Sequence, residues 1–450
     1  MKVNKKKVSI PVYTHEGARA HRAPNSELEL RRSVLSTMLW EDSFYEDGES
    51  IANRIATGVA NTDPNKVAKI AIDARGAWKL RHAPLLVVRE MAKLPSHKSL
   101  VASTLSEVIQ RPDELAEFIS IYWKNGKEPL ANQVKKGLAT AFKKFNEYSL
   151  SKYKGKKNEI SLRDAMFLVH PKPESMEQAM LFKKVADQEL ATPDTWEVAI
   201  SNCKSSEEKK AEWTRLLKED KLGALALLRN LRNFEKVGVD ETLIRTALSK
   251  IKTDRVLPYR FIAAARYAPQ FEPELEEAMF KCTANMDKLP GRTVLLIDVS
   301  GSMDYEVSDK SDLKRIDAAC GLAMLIREIS EYSDIYTFSE NLHRVPNRRG
   351  FALRDAIDTS QRHGGTNLGS SLNILQRKLK TGKEDCGYDR LIIVTDEQSR
   401  DVVAKPNGKG YVINVGSYQY GLSYAEWIKI SGFSEAVVAW ISEYEKLKKE

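Results

Sequence analysis

The sequence predicts an α-helical HEAT-like repeat solenoid over residues 1–285, followed by an α/β doubly wound domain over residues 286–450. Three observations predict it. Apolar residues recur at three- and four-residue steps through the first two-thirds of the chain, with almost no strand signal. Near residue 291 the pattern changes to β-rich apolar runs that alternate with helices. The charge divides at the same place: residues 1–290 hold 49 Lys and Arg against 39 Asp and Glu, whereas residues 291–450 hold 22 against 23.

A chain of 450 residues exceeds what one hydrophobic core organises, so two or more domains are expected. Its 42% apolar and 30% charged residues are the balance of a soluble protein with a heavily charged surface. No apolar run approaches the length of a membrane span. The N-terminal MKVNKKKVSIPVYTHEG has basic residues without the apolar stretch of a signal peptide, so a cytoplasmic protein is expected. Cys203, Cys282, Cys320 and Cys386 are widely separated and form no CxxC pair. That usage argues against a disulfide framework or a structural zinc site and fits a reducing compartment.

In the first region, SELELRRSVLSTMLW, KVAKIAIDARGAWKLRHAPLLVVREMAK, SLVASTLSEVIQ, DELAEFISIYWK and LANQVKKGLATAFKKFNEYSLSKYK read as amphipathic helices. Further helices are expected in SMEQAMLFKKVADQ, TPDTWEVAISNC, EEKKAEWTRLLKED, LGALALLRNLRNFEK and DETLIRTALSKI. The connectors NTDPN, KLPSH, RPDE, KNGKEP and HPKPES carry the stops. Asp63 before Pro64, and Ser161 ahead of Asp164, have the chemistry of helix N-caps. Antiparallel helix pairs without a clean sequence period suggest irregular HEAT-like repeats, with curved surfaces free for ligands.

From residue 291 the order is a strand (TVLLIDVS), a helix (KRIDAACGLAMLIREIS), a strand (DIYTFS), a helix (NLGSSLNILQRKL) and two strands (RLIIVTD and GYVINVG). A last helix is FSEAVVAWISEYEKLKKE. Such alternation gives a parallel sheet that binds ligands at the carboxyl ends of its strands.

The chemistry concentrates at those ends. Asp298 closes the first strand, and Ser300 and Ser302 follow across a turn for which Gly301 supplies the freedom. Thr366 in HGGTN and Asp396 in IIVTDEQ arrive at later element ends. Carboxylates and hydroxyls are hard oxygen donors that suit Mg²⁺ or Mn²⁺, and the absence of His and Cys disfavours zinc. The set matches the DxSxS…T…D pattern and resembles the metal-ion-dependent adhesion site of von Willebrand factor A domains. That resemblance implies one coordination position left open for a partner's oxygen.

A helical region followed by such a domain resembles the Ro autoantigen family, in which a TROVE module precedes a von Willebrand A domain. The likeness runs over nearly the whole chain and is sharpest in LLIDVSGSM, GGTN and IVTDEQS, with weaker echoes in SKYKGKK, VHPKP, LLRNL and RVLPYRF. The resemblance implies a monomeric ring of helical repeats closed by the A domain. Single-stranded RNA ends would thread the ring, and small structured Y RNAs would bind outside it. It also implies quality control of non-coding RNA, with an exoribonuclease as a partner.

The family's outer RNA surface carries over to Lys152, Tyr153, Lys154, Lys156, Lys157 and His170, with Lys156 standing where the family has Arg. A lysine supplies charge without the bidentate guanidinium. Read on its own, this basic segment with Lys144 before it cradles phosphates while Tyr153 stacks a base; the other reading is a solvated helix end. Lys135, Lys136, Lys143 and Lys144 share a helix face and are candidates for the ring or its rim. Arg75, Arg81 and Arg89 suit that role or salt bridges between helices equally, and the tryptophans read as core. The motifs GxxxxGK[ST], GxSxG and HExxH are absent, so no enzyme is expected. The alternative function is a protein-assembly scaffold in which the A domain's metal captures a partner's carboxylate.

Overall fold

The computed structural model describes residues 12–13, 19–20, 26–35, 48–153, 160–254, 256, 258–284, 286, 288–308, 311–381, 387–416, 427–432 and 435–447. The chain divides into two compact units, one of Glu29–Leu39 with Ala52–Cys282, the other of Met1–Leu28, Trp40–Ile51 and Thr283–Glu450. A short antiparallel pair, β1 (Val12–Tyr13) and β2 (Arg19–Ala20), precedes the first helix. No helix among the described residues is long and apolar enough to cross a membrane.

The helices run α1 (Ser26–Leu35), α2 (Gly48–Ala60), α3 (Pro64–Gly76), α4 (His82–Lys93), α5 (Val101–Val108), α6 (Asp113–Tyr122), α7 (Asn132–Phe142) and α8 (Glu147–Lys152). They continue as α9 (Leu162–Val169), α10 (Met176–Asp187), α11 (Trp196–Ser201), α12 (Ser206–Lys218), α13 (Ala224–Lys236), α14 (Glu241–Ser249), α15 (Pro258–Tyr267) and α16 (Glu272–Ala284). Helices two apart in the chain stack on each other: α3 on α5, α5 on α7, α4 on α6, α12 on α14 and α13 on α15. Together with contacts such as α3 on α4, this is the two-layered stacking of a helical-repeat solenoid.

The caps fall where their chemistry placed them. Asp63 accepts from the N–H groups of Asn65 and Lys66, and Ser161 with Asp164 forms a reciprocal capping box. Two stretches read as single helices are broken. The run from Lys66 to Lys93 ends α3 at Gly76 and restarts at His82, across Lys79 with φ 56°. The run from Leu130 to Lys154 stops at Phe142, and Asn146 caps α8 by accepting from the Ser149 N–H. Stacking is tightest between α5 and α7, where a Cβ on Gly137 would lie 2.8 Å from the Ala102 carbonyl. Only a glycine admits that approach.

The second unit contains β3 (Leu289–Asp298), β4 (Glu306–Ser308), β5 (Ser311–Lys314), α17 (Arg315–Ile329), β6 (Ser330–Phe338), β7 (Leu342–Arg344), α18 (Gly350–Asp358), α19 (Leu368–Thr381), β8 (Arg390–Thr395), β9 (Lys409–Asn414), β10 (Ile428–Ser431) and α20 (Glu435–Leu447). Six strands form one sheet in the order β10-β9-β8-β3-β6-β7, parallel except for the β7 edge. Leu368, Leu372, Leu375 and Leu379 of α19 pack on Val294, Leu296, Phe338 and Ile393 of the sheet. α17 packs on β3, β6 and β8 outside that cluster, so the sheet is covered twice. β3 turns one way to β6, and the chain later returns to β8 on its other side, so the strand order reverses between β3 and β8. Doubly wound sheets bind their ligands at such a point.

A candidate cation site and a candidate nucleic-acid surface

β3 and β8 are paired in parallel register up to Ile297 and Val394, so Asp298 and Thr395 leave the sheet side by side. The Thr395 hydroxyl donates to Asp298 Oδ2 at 2.5 Å, and the Ser300 N–H donates to Oδ1 at 2.8 Å. The Ser300 and Ser302 hydroxyls lie 3.3 Å apart, and Ser302 also hydrogen-bonds Asp396. Thr366 is held through backbone: its carbonyl accepts from the Arg400 N–H at 2.9 Å, and two residues earlier the Gly364 carbonyl accepts from Gly301 at 2.9 Å. Ser339 braces the same loop, accepting from Gly364 and donating to the Gly365 carbonyl. Asp298, Ser300, Thr366 and Asp396 are buried and Ser302 is half-buried.

Gly301 does not have the role expected of it. Its φ is not positive, and a Cβ there would meet carbonyl oxygens at an ordinary 3.6 Å. The left-handed residue of the site is Glu397, with φ 65°, directly after Asp396. Its buried carboxylate is ion-paired with the buried Lys429 ammonium of β10, and its N–H donates to Thr395 Oγ1. Neither residue is signalled by a motif. Arg315, the first residue of α17, is a further addition. Its guanidinium donates to Asp396 Oδ2 at 3.2 Å with both side chains buried, and to the Ser302 carbonyl at 3.4 Å.

Burial raises the Asp298 carboxyl well above the carboxylate range, and the neighbouring Asp396 charge raises it further. Asp396 is likewise raised by burial, against which Arg315 pulls down. Arg315 compensates the Asp396 charge, which leaves the buried Asp298 carboxyl to be neutralised by a proton or a cation. The donor set of two carboxylates and three hydroxyls therefore fits a hard divalent ion. Among the described residues there is no group of three or more His, Cys, Asp and Glu arranged to hold a metal. His363 stands close by but is engaged: Nδ1 bonds Asp304 at 2.9 Å and Nε2 the Asp358 carbonyl at 3.0 Å. Burial lowers its pKa, but those two acceptors outweigh it and the net shift is upward.

In the helical unit the expected basic residues separate. Lys135 and Lys136 are exposed in the first turns of α7, Lys152 is exposed at the end of α8, and His170 is exposed at the left-handed C-cap of α9 with φ 48°. Lys144 is redirected. Its ammonium donates to the Ser106 and Ile109 carbonyls at the end of α5, and burial lowers its pKa. Tyr153 is half-buried, with the Arg111 guanidinium 4.8 Å above its ring. Arg111, which sequence reasoning missed, is the cation paired with that aromatic. Lys154, Lys156 and Lys157 lie outside the described residues. Lys143 is tied to Glu174 at 2.8 Å. Arg75 pairs with Glu114 and Arg81 with Asp113 and Glu117, so these two arginines serve the helix stack, whereas Arg89 pairs with Glu90 beside it in α4. Trp78 and Trp213 are core, the latter stacked with Trp196.

A helical-repeat unit joined to a doubly wound unit with an oxygen-lined site at its switch point defines the class. Residues 188–331 match the family model of the TROVE domain. The whole chain is similar to the crystal structure of the Deinococcus radiodurans Ro (RSR) protein, with a TM-score of 0.64 and 20% identity over 94% of this chain and 100% of that one. No curated protein sequence matches it. The domain match over residues 188–331 and the likeness of fold both agree with the resemblance read from the sequence.

Proposed function

We propose that this is a non-catalytic RNA-binding protein that captures structured small RNAs of the Y type, or misfolded non-coding RNAs, and presents them to an exoribonuclease. The observation that carries the reading is the TROVE-domain match over residues 188–331, which begins in a helical solenoid that holds the chain's entire basic excess. A basic solenoid surface attracts polyanions through counterion release, and lysines hold a backbone without reading sequence. Lys135, Lys136, Lys152 and His170 are exposed, as phosphate contacts require. The test is the affinity of the full chain for a small hairpin RNA over a salt series. Lys135→Ala, Lys136→Ala and Lys152→Ala together should weaken it about ten-fold and flatten the salt slope. An unchanged slope sinks this surface.

In the same reading, Asp298, Ser300, Ser302, Thr366 and Asp396 hold Mg²⁺ or Mn²⁺, which supplies a Lewis-acid contact for a partner's carboxylate or phosphate oxygen. The position of these oxygens at the open end of the sheet also supports the scaffold alternative. Capture of partners that is lost on chelation but survives nuclease favours the scaffold; loss on nuclease treatment favours RNA.

A further inference from the structure

The two carboxylates of the oxygen-lined site are compensated differently. Asp298 is met by neutral donors, the Thr395 hydroxyl on Oδ2 and the Ser300 N–H on Oδ1. Asp396 is met by a neutral donor on Oδ1, the Gln398 N–H at 3.3 Å, and by a full positive charge on Oδ2, the Arg315 guanidinium. That guanidinium is firmly placed. The side chain keeps 3% of its surface, the Arg315 N–H donates to the Tyr305 carbonyl at 2.9 Å, and the guanidinium lies 5.9 Å from the centre of the Tyr305 ring. Tyr305 follows the turn that carries Ser302, and Arg315 opens α17 directly after β5, so the β4–β5 hairpin returns a cation to the loop it left. Of the other charges nearby, Glu397 is answered by Lys429, Asp304 faces Lys314 at 3.5 Å, and Asp317 accepts from the Lys314 N–H. At the rim Glu340 stands beside Gly364 and Arg400 beside Gly365, one of each sign. The innermost groups are therefore two carboxylates and one guanidinium, which leaves one negative charge rather than two.

We infer that Arg315 is a resident counter-cation, which makes this site bind a divalent ion weakly by itself and tightly only together with a partner's carboxylate. The inference rests on the cation reading of the five oxygens and adds to it the reason the ion needs a partner. With one negative charge on the protein side, a divalent ion leaves the buried site one charge positive, and burial makes that excess costly. A carboxylate removes the excess, whereas a water in the same position does not. By linkage the ion raises the carboxylate's affinity by the same factor as the carboxylate raises the ion's. A carboxylate suits the site better than a nucleic-acid phosphate. Residues 291–450 hold 22 Lys and Arg against 23 Asp and Glu, and so offer no basic field to gather a polyanion. Without Arg315 the two carboxylates would match the charge of the ion unaided.

The test is the binding of Mn²⁺ to the full chain near neutral pH, followed by the electron paramagnetic resonance signal of the free ion. It is run in sodium acetate and in sodium chloride of equal ionic strength. The parent should bind Mn²⁺ about ten-fold more tightly in acetate. Arg315→Gln should bind it about ten-fold more tightly than the parent in chloride, and should gain about two-fold or less from acetate. Arg315→Lys keeps the charge and should keep both the weak binding and the acetate dependence; an arginine that merely held the fold would be missed equally in both variants. Asp298→Asn should bind no Mn²⁺ in either salt. A parent whose Mn²⁺ affinity ignores acetate overturns the inference, and that measurement needs no variant to fold. So does an Arg315→Gln chain that binds Mn²⁺ in chloride no more tightly than the parent. A parent that binds no Mn²⁺ in either salt rejects the cation reading itself, a result distinct from both.

Discussion

The two units treat charge in opposite ways. In the sheet unit the decisive charged groups are buried and held by named partners: Asp298 by Thr395 and Ser300, Asp396 by Arg315, and Glu397 by Lys429. In the helical unit, buried charge such as Arg75 with Glu114 serves the stack, while Lys135, Lys136 and Lys152 sit on exposed helix faces. A site fixed by strand register has its geometry before any ligand arrives. A site spread over helix surfaces is defined by the ligand that neutralises it.

The largest effect of that difference is expected at a group far from the cation site. Glu445 of α20 accepts from Arg390 Nε and Nη2, from Lys409 and from the Tyr411 hydroxyl. Burial disfavours its charge, but the hydrogen bonds from Arg390 and Lys409 outweigh it and hold the pKa down to about 2. Glu445→Ala strands the buried Arg390 guanidinium and should cost about 3–5 kcal/mol in denaturant unfolding. Because the folded pKa is depressed, the glutamate's contribution is full above its unfolded value and fades as pH falls toward 2. The alanine variant should therefore lie closest to the parent in acid. Replacing both partners with apolar residues should recover much of the loss, since neither charge is then left alone.

The candidate cation site gives the second effect, with the opposite pH sign. Asp298 and Asp396 have raised folded pKa values, so the cation-free protein binds more protons folded than unfolded. Its stability is greatest in mild acid and falls as pH rises through the folded pKa of the pair. Saturating Mg²⁺ or Mn²⁺ should add about 2–4 kcal/mol near neutral pH and much less near pH 4, where protons compete. Asp298→Asn should abolish the metal-dependent rise in melting temperature and stabilise the chelator-treated protein near pH 7. A melting temperature that ignores chelator at every pH rejects the cation.

What was legible in the sequence follows the same division. TVLLIDVS and RLIIVTD could be read because a strand buried on both faces is continuously apolar, and their ends delivered Asp298 and Asp396 to one place. The short β7 and β10, and the hairpin of β4 and β5, are three to four residues long and carry no period to detect. Arg315 and Lys429 could not be found, since they reach partners 81 and 32 residues away through the tertiary fold. In the helical unit the lysines were visible in the sequence but their partners were not. A surface lysine and one that caps a neighbouring helix read identically in a line of residues.

Lys144 and Lys136 make that last point measurable, and the expected effect is the smallest. They lie on one segment and both read as phosphate contacts. Yet Lys144 donates to the Ser106 and Ile109 carbonyls across the stack, where the last carbonyls of α5 lack partners of their own, and Lys136 is exposed. Lys144→Met keeps the aliphatic stem and removes the donor. It should cost about 1–2 kcal/mol of stability and leave RNA affinity and its salt slope as they were. Lys136→Met should do the reverse, with stability within about 0.5 kcal/mol of the parent and a salt slope shallower by about one unit. If Lys144→Met loses RNA affinity at full stability, the helix-capping role is wrong and the residue returns to the phosphate surface.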